Sequence, residues 1–265
     1  MSDFERVKHH YDNGPEVEWA RLDRHRTELA VTFRALDEYL PAPPAAVADI
    51  GGGPGRYAIA LAQRGYTVTL ADLAQGNLEL AKQKAAQSGV ELSGYLHANA
   101  LDLALLPDNA FDVVLLMGPL YHLHEPAERE QAVMQALAKL KPGGRFFAAF
   151  ITRYAPIRWA AANQPDYIIE RPEEFKAMWE TGRHIGQGFP NAFFVHPTEV
   201  NPLMEGCGLQ TLDLIGCEGG VSMIEEAVNA LEGELWEAWV DLNYQMGKDP
   251  STHGCAEHLL YVGQK

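Results

Sequence analysis

The run Asp49-Ile50-Gly51-Gly52-Gly53-Pro54-Gly55-Arg56 holds the residues best suited to grip a small ligand. Glycines let a chain turn sharply and bring its backbone against a ligand with no Cβ in the way. A helix that starts there adds free N–H donors. A dinucleotide fingerprint, Gly-x-Gly-x-x-Gly, would need a third glycine where Arg56 stands. The spacing is instead Gly-x-Gly-x-Gly, with Asp49 two positions ahead of the first glycine. Further along, Gly118-Pro119-Leu120-Tyr121-His122-Leu123-His124-Glu125 carries two imidazoles. His122 titrates near neutral pH as an ordinary histidine and can take a proton there. His122-x-His124-Glu125, and separately His253, Cys255 and His258, invite a metal reading. Neither set offers the remaining ligands at usual spacings, so no metal is expected.

These groups need a scaffold. Strand signals at Thr67–Ala71, Leu92–His97, Phe111–Met117 and Arg145–Ile151 alternate with helical segments at Arg56–Arg64, Asn77–Ser88 and Ala127–Leu140. A short apolar run before Gly51 makes the first strand. The alternation predicts an α/β fold, a doubly wound, mostly parallel sheet with helices on both faces. A helix near Thr198–Gly206, strands at Leu209–Cys217 and His258–Gly263, and a helix over roughly 222–246 complete it. Ahead of the sheet, Trp19, Leu22, Leu29, Phe33, Leu36 and Leu40 recur at helical spacing and predict one helix over 16–40, ended by the prolines of 41–44. Arg26 falls on that apolar face, where a guanidinium needs a partner; a ligand carboxylate is one candidate. Residues 153–196 carry aromatics, prolines and glycines without a clean period, and are too long for an ordinary connection. They read as an insertion over the carboxyl edge of the sheet, where such folds bind ligands.

With its acidic residue ahead of Gly-x-Gly-x-Gly, the chain resembles the class I S-adenosylmethionine-dependent methyltransferases. The resemblance continues in order through Asp72, NALDL at 99–103, PDNAFDVVLLMGPLYHL at 107–123 and LKPGGRFF at 140–147. It implies a Rossmann-like sheet of seven strands, the last antiparallel, in a single domain over 1–265, with a helical N-terminal lid over 1–40 and an inserted cap over 153–200. It implies S-adenosylmethionine as cofactor. The expected cofactor residues are Asp49, Gly51, Gly52, Gly53 and Gly55 in the loop, Asp72 and Leu73 at the ribose, Asn99, Ala100 and Leu101 at the adenine, and Met117. Arg26 is expected at the methionine carboxylate. Asn99 stands where the family commonly has aspartate. Segment 118–124 is expected to line the acceptor site, with His122 as general base and Tyr121 and Tyr11 orienting the acceptor. Trp159 and Phe193 are expected to set acceptor selectivity from the insertion, together with Tyr154, Tyr167, Phe189, Phe194 and His196.

The bulk properties narrow the acceptor. The 265 residues suit one large domain, and 47% apolar residues against 22% charged ones suit a packed core. A net charge of -15, without a run of Lys and Arg, disfavours a nucleic-acid partner. The acceptor expected is a small molecule with an O, N or C nucleophile. No stretch is long and apolar enough to span a membrane, and the polar N-terminus lacks a secretion signal. Cys207, Cys217 and Cys255, odd in number, read as reduced thiols of a cytoplasmic protein. The rival readings are a nicotinamide-dependent oxidoreductase, a non-catalytic S-adenosylmethionine-binding protein and a tRNA or protein methyltransferase. Oligomeric state is left open.

Overall fold

The computed structural model describes residues 3–184 and 189–265. Three helices, α1 (Asp3–Asn13), α2 (Pro15–Arg24) and α3 (Arg26–Tyr39), precede the sheet. Then β1 (Ala46–Ile50), α4 (Arg56–Gln63), β2 (Thr67–Asp72), α5 (Gln75–Gln87), β3 (Gly94–His97), β4 (Phe111–Leu116), α6 (Pro126–Lys139) and β5 (Leu140–Ile151) alternate as expected. The insertion follows as α7 (Tyr154–Asn163), α8 (Tyr167–Glu170) and α9 (Pro172–Thr181). The chain closes with α10 (Pro197–Gly206), β6 (Gln210–Gly216), α11 (Glu225–Asn229), α12 (Gly233–Gly247) and β7 (His258–Gln264).

The seven strands lie in the order β3-β2-β1-β4-β5-β7-β6, and β7 runs antiparallel to both β5 and β6. In β4, Val113 and Leu115 face one apolar cluster while Val114 and Leu116 face the other. All four are 0% exposed, which is why this strand reads as a continuous apolar run rather than an alternation. The strand order reverses between β1 and β4. Their connections leave in opposite directions, which opens a crevice above their carboxyl ends.

Three local expectations are corrected. The helix expected over 16–40 breaks at His25 (φ -103, ψ 58). The one expected over 222–246 is a 3₁₀ turn and two helices, parted before Gly233 at φ +58. The first part of the insertion, over 154–181, is helical rather than irregular. Its helices hid because Trp159, Ile168, Ile169 and Trp179 are all more than half exposed, which scrambles the apolar stripe that marks a helix.

The break at His25 lets α2 and α3 embrace a buried ion network. Glu28, 6% exposed, accepts two bonds from Arg21, Nη1 to Oε2 at 2.7 Å and Nη2 to Oε1 at 3.0 Å. On the sheet, His258 Nδ1 lies 2.6 Å from Oε1 of the fully buried Glu218 and 3.6 Å from Oε2 of Glu28. Oε2 of Glu218 takes the backbone N–H groups of Glu257 and His258. Burial opposes charge on His258, yet the Glu28 and Glu218 carboxylates hold its pKa up to about 9. Burial likewise pushes Glu28 up, and Arg21 and His258 outweigh it, bringing it down to about 2. Because the folded pKa of His258 lies above its ordinary 6.5, its contribution to stability is complete below that value and is lost as pH rises through about 9. Unfolding free energy should therefore fall by on the order of a few kcal/mol between neutrality and pH ~10, relative to His258→Gln, as about 1.4 kcal/mol per pKa unit dictates. Parallel stability curves for the two proteins would show that the network does not carry this charge.

Candidate functional site

At the crevice, the loop after β1 meets the loop after β4. A Cβ on Gly118 would stand 2.6 Å from the carbonyl oxygen of Gly51, so the two chains cross with no room for a side chain. Gly52 is equally constrained, since a Cβ there would fall 2.4 Å from the carboxyl group of Asp49. One continuous cleft opens over this crossing. It brings together Asp49, Gly51, Gly52, Gly53, Asp72, Leu73, Asn99, Ala100, Leu101, Met117, Tyr121, His122 and Tyr11. Gly55 is outside it, capping the start of α4.

Asp72 holds the loop in place. Its Oδ2 accepts from Gly53 N (2.8 Å), and its Oδ1 accepts from Ala74 N (2.8 Å) and Asn77 Nδ2 (3.2 Å). Burial raises its pKa against the pull of these donors. Asn99 forms a local turn, its Oδ1 accepting from Leu101 N. Asp49 differs from both. It is 1% exposed, and neither carboxylate oxygen has a hydrogen-bond partner among the described residues. Burial and the neighbouring Asp72 push it up to about 7, against the pull of the Ala58 backbone N–H, which does not reach hydrogen-bond geometry. An orphaned acid at the wall of a cleft suits a ligand that brings positive charge or donors of its own.

Arg26 is not in the cleft, which corrects the expectation. Its Nη1 donates to the carbonyl oxygens of Asn229 and Leu231, and its guanidinium lies 4.3 Å over Trp236. It fastens α3 to the α11–α12 connection. Arg21, five residues earlier, lines the cleft instead. Among the described residues, three of its five N–H groups go to Glu28 and Glu18, which leaves two, one on each terminal nitrogen. The pairing with Glu28 across the break at His25 was the missed signal. Asn77 was also missed; it is 2% exposed, lines the cleft and has no partner for Oδ1 among the described residues.

His122 is 9% exposed and burial lowers its pKa to about 4, which corrects the near-neutral titration expected. Nδ1 stands 2.9 Å from the carbonyl oxygen of Pro190 and Nε2 stands 2.8 Å from the Tyr11 hydroxyl. A carbonyl only accepts, so Nδ1 carries the proton and the bare Nε2 accepts from Tyr11. His124 Nε2 donates to the carbonyl of Ala192 (3.0 Å), and Arg129 stacks 3.6 Å over Phe193. These side chains pin the returning end of the insertion to the segment after β4. His253 Nε2 faces the carbonyl of Gly247, and His258 is the buried cation of the ion network. The insertion itself reaches the cleft through Asn191. Phe193 is core and Trp159 is 54% exposed, and neither lines the cleft, contrary to expectation. Tyr154, Tyr167, Phe189, Phe194 and His196 are also outside it. Tyr154 and His196 bond each other (3.1 Å), Phe194 packs under α9, and Phe189 packs on the His122 ring (5.0 Å). The described residues contain no helix long and apolar enough to cross a membrane.

Residues 48–148 match the methyltransferase domain family. A ubiquinone biosynthesis O-methyltransferase of Stutzerimonas stutzeri is 30% identical over 182 residues, covering 68% of this chain and 71% of that protein. Its counterpart from Chromobacterium violaceum is 33% identical over 172 residues, covering 64% and 67%. A solved methyltransferase of Methanosarcina mazei superposes with a TM-score of 0.60 at 18% identity, over 87% of this chain and 96% of that one. A 1,6-didemethyltoxoflavin-N1-methyltransferase of Burkholderia thailandensis, solved with bound 1,6-didemethyltoxoflavin and S-adenosylhomocysteine, gives 0.56 at 15% identity, over 99% and 85%. At such identities these structures show the shared fold.

The orphaned Asp49 generates a prediction. Its folded pKa of about 7 lies above the ordinary 3.8, so ionising it costs stability as pH rises between those values. Asp49→Asn should therefore have a higher unfolding free energy than the wild type at pH 8, by on the order of a few kcal/mol, with the advantage shrinking toward pH ~4. A variant less stable than the wild type at pH 8 would mean that the carboxylate is satisfied in the free protein.

Proposed function

Given that this chain belongs to the class I S-adenosylmethionine-dependent methyltransferases and is an enzyme acting on a small molecule, we propose that its cleft binds S-adenosylmethionine and presents the methyl group to a hydroxyl of the acceptor. The observation that carries this reading is the meeting of the Asp49 loop, Asp72 and the His122 segment in one cleft at the reversal of strand order. The cofactor supplies an electrophilic methyl group on a sulfonium centre. The residues fit it: Asp49 is a buried acid with no partner of its own, and Gly52 leaves no Cβ in the loop beside it.

Asp72 would take a ribose hydroxyl. A carboxylate offers about four acceptor positions, and three are already filled by Gly53, Ala74 and Asn77. The free Oδ1 of Asn77 would take the second hydroxyl. Arg21 replaces Arg26 as the residue for the methionine carboxylate. Glu28 already matches its charge, so what it offers the cleft is two donors in fixed geometry. Leu73, Asn99, Ala100, Leu101 and Met117 would contact the rest of the cofactor. A hydroxyl acceptor is supported by the O-methyltransferase relatives and by His122, whose bare Nε2 suits removal of an O–H proton. Tyr121 beside His122 would orient the acceptor. The N-terminal helices act as lid, since α1 supplies Tyr11; the cap role of residues 153–200 rests on Asn191 and on the carbonyl of Pro190. The acidic chain favours a metabolite over nucleic acid as acceptor, and the three free cysteines, Cys207, Cys217 and Cys255, fit a cytoplasmic enzyme.

Calorimetry with S-adenosylmethionine tests the cofactor assignments. Asp72→Asn should lose about 1.5–3 kcal/mol, the worth of a hydrogen bond to a charged group, or roughly 10–150-fold in Kd. Arg21→Lys should also weaken binding, because it keeps the charge and loses the fork, whereas Arg26→Lys should leave affinity unchanged. Wild-type affinity in folded Asp72→Asn and Arg21→Lys would remove both residues from the site. Tight NADH binding without any for the methyl donor would overturn the reading as a whole.

A further inference from the structure

Two groups take no part in the proposed cofactor contacts: the hydroxyl of Tyr11 on α1, which lines the cleft, and the carbonyl of Pro190 on the insertion, which does not. Both terminate on the same imidazole, at 2.8 and 2.9 Å. The chain Tyr11 Oη–His122 Nε2, His122 Nδ1–Pro190 O therefore runs from the lid, through the segment after β4, into the insertion. Its direction is fixed. Because Pro190 can only accept, Nδ1 is the protonated nitrogen, and Tyr11 must donate to Nε2. The Tyr11 oxygen then has lone pairs left to accept from a second donor, and Tyr11 lines the cleft. Its ring stands edge-on to that of His122, with centroids 5.4 Å apart. An acceptor hydroxyl reaching this corner meets the phenol oxygen of Tyr11, because the base itself is already covered.

We propose that Tyr11 and His122 form a two-step proton relay, in which the acceptor hydroxyl gives its proton to Tyr11 as Tyr11 gives its own to His122. The proposal rests on the hydroxyl-acceptor reading above. In the step, a lone pair of the acceptor oxygen forms the O–CH₃ bond, and the C–S bond breaks with its electron pair kept on sulfur. The acceptor's proton moves to Tyr11 Oη and the Tyr11 proton moves to His122 Nε2. Tyr11 ends as it began, a neutral phenol, and His122 ends as an imidazolium that later releases its proton to water. The sulfonium charge that is consumed reappears on the imidazolium, so the net charge of the buried site does not change during transfer. Burial keeps Tyr11 a phenol and keeps His122 neutral well below neutrality, so both start in the form the relay needs. Tyr11 belongs to the lid and Pro190 to the insertion. The base is thus assembled by two covering segments, and neither covers the cleft only passively.

Two readouts test this, one of them independent of turnover. In ¹⁵N NMR of the free protein, His122 should be the Nδ1-protonated tautomer, and Tyr11→Phe should shift the Nε2 signal while leaving that tautomer in place. An Nε2-protonated His122 overturns the relay, because that nitrogen could then take no proton. For turnover, catechol and 4-nitrocatechol serve as probes, flat rings whose hydroxyls differ widely in acidity. Tyr11→Phe and His122→Gln should each slow catechol methylation by about 10²–10⁴, the usual worth of a positioned base. The double variant should be no slower than the worse single one. All should be much closer to wild type on the readily ionised 4-nitrocatechol, with calorimetric affinity for the methyl donor retained. Additive losses, or equal losses on both probes, overturn the relay while leaving the hydroxyl-acceptor reading intact. A wild type that binds the methyl donor, ignores both catechols and methylates an amine such as histamine instead fails the hydroxyl reading, and the relay with it. Should His122→Gln not fold, Tyr11→Phe alone decides, since it removes a single oxygen.

Discussion

A buried carboxylate must be hydrogen-bonded or left neutral, and that constraint shapes the whole ligand cleft. Asp72 satisfies it with three donors, two of them backbone N–H groups, and so ties the glycine loop, the turn after β2 and the first turn of α5 to one point. Asp49 does not satisfy it. It sits next to Asp72 with both oxygens unpartnered and is driven toward neutrality by burial. One acid builds the cleft and the other waits at its wall. The distinction matters for function, because a site that holds a charged ligand must keep some of its polar capacity unspent until the ligand arrives.

The same accounting explains the N-terminal helices. A guanidinium in an apolar surface needs acceptors, and each of the two candidate arginines found them differently. Arg26 took backbone carbonyls of the α11–α12 connection and the face of Trp236. Arg21 took the carboxylate of Glu28, itself held opposite the His258–Glu218 pair. Packing four ionisable groups together, with Glu28 and Glu218 buried, is tolerable only because the charges alternate in sign and the remaining lone pairs of Glu218 are filled by backbone donors. The consequence is that Arg21 is held rigidly at the edge of the cleft with two donors to spare.

The histidines after β4 show how a motif of chemically active residues divides its labour. His124 and Arg129 fasten the insertion. His122 does so too through Nδ1, and that bond leaves Nε2 as an acceptor. Structural pinning and chemical readiness are properties of one ring, and the tautomer links them.

The ordered set of strands, the glycine spacing and the acids at strand ends were legible in the sequence, because they are local: each depends on neighbours within a few residues and on a fixed period. Those features determined the seven-stranded sheet, the place of its crevice and most residues that line it. Residues 153–196 concealed their helices, since exposed Trp159, Ile168, Ile169 and Trp179 blur the apolar face that periodicity depends on. What only the tertiary structure decided were the partners across distance. Arg21 rather than Arg26 reaches the cleft because the helix breaks at His25 and Glu28 folds back beside Arg21. Asp49 is orphaned, and His122 is depressed and bound to Tyr11 at a separation of 111 residues, because burial and hydrogen bonding are set by what the fold brings alongside. Residue type and spacing fix what a side chain can do; the fold fixes which of its partners are already taken.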